Sequence, residues 1–143
     1  MDPLSATGTL IALLQISSAV ISFCYEYRQG TKSAAREVVQ ISDELNSLKD
    51  VLEALLKLVE SSASSESSAR LSTFELLVKA DGPLLTCQSE LERLKKQLEP
   101  EKGWRAVRRT LVWPLKEAEM KRALDALERL KSMMQLALSA DQA

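Results

Sequence analysis

Three stretches of the chain set their apolar residues at alternating steps of three and four. Between residues 31 and 60 the series is Ala34, Val38, Ile41, Leu45, Leu48, Leu52, Leu55 and Val59. Leu84, Cys87, Leu91, Leu94 and Leu98 repeat it, as do Met120, Ala123, Leu127, Leu130, Met134 and Ala137. These steps keep each set on one side of a helix. Glycine and proline punctuate the runs. Asp2-Pro3 suits a helix start and Gly30 a helix stop, while Asp81-Gly82-Pro83, Pro100 and Gly103 interrupt what lies between. The pattern predicts helices over about 3–29, 31–60, 69–99 (broken near 81–83) and 115–139. A short helix is expected over about 101–112, and the serine-rich run "SSASSESS" at 61–68 reads as a flexible loop. Stripes of this kind on segments that fold back at Gly30, Gly82 and Pro100 predict an all-α, antiparallel four-helix-bundle-like domain. The competing architecture, an extended dimeric coiled coil, would have to run through those breaks.

The first segment differs from the other three. "PLSATGTLIALLQISSAVISFCY", Pro3 to Tyr25, contains no charged side chain. A helix of that length reaches about 35 Å, enough to cross a bilayer core of about 30 Å. A secretory signal needs positive charge ahead of its apolar core. The chain instead starts Met-Asp-Pro and has no Lys or Arg before Arg28, so that reading fails. On a helix, Gln15, Ser18, Ser22, Glu26 and Gln29 form one polar stripe, and Leu10, Leu13, Leu14, Val20, Ile21 and Cys24 spread over the remaining surface. A one-sided helix can pack in a bundle with its polar stripe outward. It can also enter a bilayer if several copies bring those stripes together around a pore.

Composition narrows the chemistry. The 143 residues fit one domain, at 45% hydrophobic and 27% charged, with four Gly, four Pro and few aromatics. With no histidine, neither a Ser-His-Asp nor a Cys-His set can be built, and Cys24 and Cys87 are too few for a thiolate-only zinc site. The four glycines are isolated, so there is no phosphate-cradling loop. No enzyme activity, cofactor or metal is expected. Both cysteines read as small buried core residues with reduced thiols.

Charge is zoned. Residues 1–92 carry 7 basic and 13 acidic side chains, residues 93–122 carry 10 and 4, and the net charge is −1. Lys102, Arg105, Arg108, Arg109 and Lys116 cluster beside Trp104 and Trp113. The tryptophans suit plugging one end of a bundle. The cations suit an anionic lipid surface, though pairing with nearby glutamates would also use them. The acidic overall balance argues against nucleic acid as a partner.

Three segments carry a family resemblance: "MDPLSATGTLIALLQISSAVISF", "ISDELNSLKDVLEAL" and "RRTLVWPLKEAEMKRALDALERLKSMMQLAL". Together they resemble the N-terminal domain of fungal STAND proteins, NOD-like receptors with a nucleotide-binding oligomerisation module, of the HeLo-like class. Members are similar to the helical cell-death domains of plant coiled-coil receptors and of the necroptosis executioner pseudokinase. The resemblance implies a cytoplasmic module that self-associates on activation, is recruited to a membrane such as the plasma membrane, and triggers regulated cell death. It implies downstream receptor modules on the same polypeptide, although a short stand-alone protein fits equally. The implied membrane-active element is the first helix, with Leu4, Leu10, Ile11, Leu13, Leu14, Ile16, Val20, Ile21 and Phe23 as its apolar set. Clustering would free it, and Gln15, Ser18, Ser22 and Glu26 would line the assembly. The Trp113-Pro114-Leu115 step and Glu119 also match the family pattern and read as structural. The alternative function is an adaptor module that makes homotypic helical contacts and has no membrane role.

Overall fold

The computed structural model describes residues 3–30, 35–62, 83–99 and 114–140. Almost all of these residues lie in four helices, and none lies in a strand. They are α1 (Pro3–Gly30), α2 (Ala35–Ser62), α3 (Pro83–Leu98) and α4 (Glu117–Ala140). The expected all-α fold is present. α2 runs two residues into the serine tract, so the tract's first two serines are helical, and residues 31–34 of the expected second helix lie outside the described residues. The rest of that tract, the 69–82 part of the expected third helix and the short basic helix lie outside the described residues.

Each helix buries one seam at steps of three and four. Val38, Ile41, Leu45, Leu48, Leu52, Leu55 and Val59 are buried on α2, and Leu84, Cys87, Leu91, Leu94 and Leu98 on α3. On α4, Met120, Leu127, Leu130 and Met134 are buried, with Ala123 partly so. The periodicity keeps a narrow stripe inward along the full length of each helix, the condition for side-by-side packing. All four seams join one hydrophobic cluster.

The helices close into a ring. α1 packs on α2 and α3, and α4 packs on the same two from the opposite side. α2 and α3 therefore meet mainly through the other two. α1 and α2 have 28 residues each, about 42 Å at about 1.5 Å per residue. The four residues between them cannot return the chain along that length, so two helices so extensively packed must run antiparallel. α3 and α4 are also antiparallel. Glu90 pairs with Arg122 at 3.6 Å, whereas Gln97, two turns on, donates to Glu119 at 3.2 Å. α2 and α4 are joined by Lys131 Nζ and Glu44 Oε2 at 3.3 Å.

Glu119 fixes the start of α4. Its Oε1 accepts a hydrogen bond from the Lys116 backbone N–H at 3.3 Å, while the Lys116 carbonyl accepts the first helical bond, from Met120 N–H, at 2.8 Å. A glutamate three residues into a helix that reaches back to the cap residue satisfies a donor the helix itself leaves open. Its Oε2 accepts from Gln97, which ties that helix end to α3. The structural reading of Glu119 holds, and Leu115 before it is buried against the core.

Candidate membrane-active site

α1 contains the stretch Thr7–Gln29, the one span among the described residues long and apolar enough to cross a membrane. Its buried seam is Leu10, Leu13, Ser17, Val20, Cys24 and Tyr27, the same three-and-four spacing as in the other helices. Leu14, Ile16, Ile21 and Phe23 flank this seam as half-buried residues packed against the core. The opposite face carries Gly8, Ile11, Gln15, Ser18, Ser22 and Tyr25, all exposed, followed by Glu26 and Gln29. Ile11 keeps 41% and Tyr25 64% of their surface in solvent.

The structure thus divides the apolar set read from the sequence. Leu10, Leu13 and Val20 belong to the core, four others form its edge, and only Ile11 faces outward. The side chain of Leu4 lies outside the described residues. A membrane-facing role for the set as a whole requires α1 to leave the bundle or rotate within it. The polar stripe is where the spacing put it, since Gln15, Ser18, Ser22 and Glu26 are all exposed. Of the basic cluster, Lys116 is exposed at the start of α4. Lys102, Arg105, Arg108, Arg109, Trp104 and Trp113 lie outside the described residues.

Ser17 is the residue the sequence reading passed over. It has no exposed surface, and its hydroxyl makes no hydrogen bond with any described residue. A helical serine ordinarily relieves this by facing water or bonding the carbonyl one turn back. Its place in the spacing Leu10, Leu13, Ser17, Val20, Cys24 was the available signal.

The two thiols are free and buried, and burial pushes each up to about 12. They stay protonated and unreactive while the bundle is closed. Tyr27 is also raised above its ordinary value, by burial first, then by the Glu26 carboxylate and by Cys24. The clefts described between α3 and α4 hold about 40 Å³ each, far short of a small-molecule site of about 300 Å³ or more. Among the described residues, no three His, Cys, Asp or Glu side chains converge as a metal site would need.

The described residues form a bundle of four helices, one of them membrane-compatible and packed into the core. No family model, curated protein or solved structure matches the chain.

Proposed function

We propose that the domain is a cell-death-type signalling effector, closed as a bundle in the cytoplasm and activated by clustering, in which α1 targets or permeabilises a membrane. One observation carries the reading. α1 buries a seam no wider than that of α2, yet its exposed positions from Gly8 to Tyr25 carry no charge. An exterior of Gly, Ile, Gln, Ser and Tyr brings no charge into the bilayer, where each charged side chain at the centre costs about 2.5–3.5 kcal/mol on insertion scales, and its Gln and Ser groups can pair between copies. The resemblance to fungal HeLo-like domains points the same way. It brings self-association and anionic lipid as partners, the latter through the basic residues ahead of α4.

The test is dye release from liposomes containing anionic lipid, comparing monomeric with artificially clustered protein. Leu14→Glu and Ile21→Glu would load the half-buried edge of the core and confuse loss of activity with loss of fold. Ile11→Glu and Ser18→Glu place charge on the exposed face instead and should leave the bundle intact. Clustered wild type should release dye, and the double variant should not. Folded, clustered wild type that releases none would move the reading to an adaptor module, and capture of a second copy would be the next measurement.

A further inference from the structure

We propose that Ser17 is the release point of α1, a built-in weakness in the seam that sets how readily this helix leaves the bundle. The inference rests on the reading that α1 acts by leaving, and adds what governs the step. Ser17 lies midway along the seam, fully buried and without a hydrogen-bond partner among the described residues. Its counterparts on the other helices are Leu, Ile, Val, Met, Cys and Ala, none of them polar. A buried hydroxyl that has given up water without a partner destabilises the state that buries it. In the released helix the same hydroxyl meets water or a polar side chain of another copy. The group therefore favours one state over the other, the requirement for any residue that shifts a two-state equilibrium.

The seam beside it is also slimmer. Beyond Ser17, α1 offers Val20, Cys24 and Tyr27, whereas α2 offers Leu45, Leu48, Leu52 and Leu55. Val20 and Cys24 are smaller than those leucines and bury less apolar area in the turns next to Ser17, although Leu14, Ile16, Ile21 and Phe23 also pack at the edge of the seam. Cys24, two turns from Ser17 on the same seam, reports the opening because its thiol reacts only when α1 exposes it.

The experiment measures iodoacetamide alkylation of Cys24, read by peptide mass spectrometry, in wild type, Ser17→Ala and Ser18→Ala. Alanine deletes the buried hydroxyl and favours helix, so the variant folds, and circular dichroism checks it. In wild type, Cys24 should label through an opening more frequent than the global unfolding that exchanges the slowest α4 amides. Ser17→Ala should slow Cys24 labelling by about tenfold, and Ser18→Ala, on the exposed face, should leave it unchanged. An unchanged or faster rate in Ser17→Ala overturns the proposal, as does wild-type labelling that requires global unfolding. Dye release is scored separately. Protein that opens at Cys24 but releases no dye would sink the membrane reading and leave the release point standing.

Discussion

α1 and α2 have equal length, pack against each other and bury seams of the same spacing, yet they solve different problems. The exposed side of α2 carries Arg36, Asp43, Asp50, Glu53, Lys57 and Glu60. That exterior commits the helix to water on one side and to the core on the other. α1 has the opposite allocation, with a seam interrupted by Ser17 and an uncharged exterior over most of its length. One helix has a single favourable environment. The other has one unpartnered polar residue, Ser17, in its seam and an uncharged exterior compatible with two. The contrast shows that a shared heptad frame sets where helices pack without setting how tightly each belongs there.

The strongest way to break this comparison is to truncate both seams. Leu48→Ala and Leu52→Ala in α2 should each cost about 2–5 kcal/mol in urea denaturation. Val20→Ala in α1 should cost less, about 1–2 kcal/mol at about 0.8 kcal/mol per buried methylene. Equal losses on the two helices would end the contrast between the two seams.

Alkaline pH probes the same seam through Cys24. Its pKa rises from 9.0 in the free side chain to about 12 in the bundle, and Cys87 behaves alike. The unfolded chain thus loses these protons first. The stability they represent is whole below pH 9 and is lost as pH climbs toward 12. Urea midpoints should fall across that window, and Cys24→Ala should flatten part of the fall.

Glu119→Ala should cost about 1 kcal/mol, because it removes both the cap on α4 and the bond from Gln97. Gly8→Ala should add about 0.5–1 kcal/mol, since an added Cβ there meets nothing within 4 Å and the helix loses a conformationally free residue. A gain at Gly8 would sharpen the comparison by showing that α1 is held below the stability its sequence could reach. The smallest effect belongs to the Glu44–Lys131 pair. A double-mutant cycle there should give about 0.2–1 kcal/mol, because both side chains keep contact with water.

The seams of α2, α3 and α4 were readable in the sequence because apolar and charged residues alternate there, so the contrast itself marks the buried face. α1 offered no such contrast. With Ile11, Leu14 and Ile16 as apolar as Leu10 and Leu13, periodicity could place its outer polar stripe but could not tell a core leucine from an exposed isoleucine. Ser17 was hidden for a related reason. It sits next to Ser18, and two adjacent serines look alike until packing buries one and exposes the other. The Glu119 cap was visible as a motif, whereas its bond to Gln97 depends on the antiparallel pairing of α3 and α4, which local sequence does not specify.

The ring arrangement makes α1 an intramolecular ligand of its own bundle. It bridges α2 and α3, so its withdrawal turns a closed ring into an open row of three helices with a helix-shaped trough along one side. Only four residues separate α1 from α2. A helix on so short a tether competes for that trough at an effective concentration of about millimolar. A helix from another molecule must match that figure to occupy the trough in its place, which dilute protein does not do and a cluster of copies held side by side does. If clustering is what activates the domain, crowding on a scaffold sets a concentration threshold at which another copy's helix can take that place.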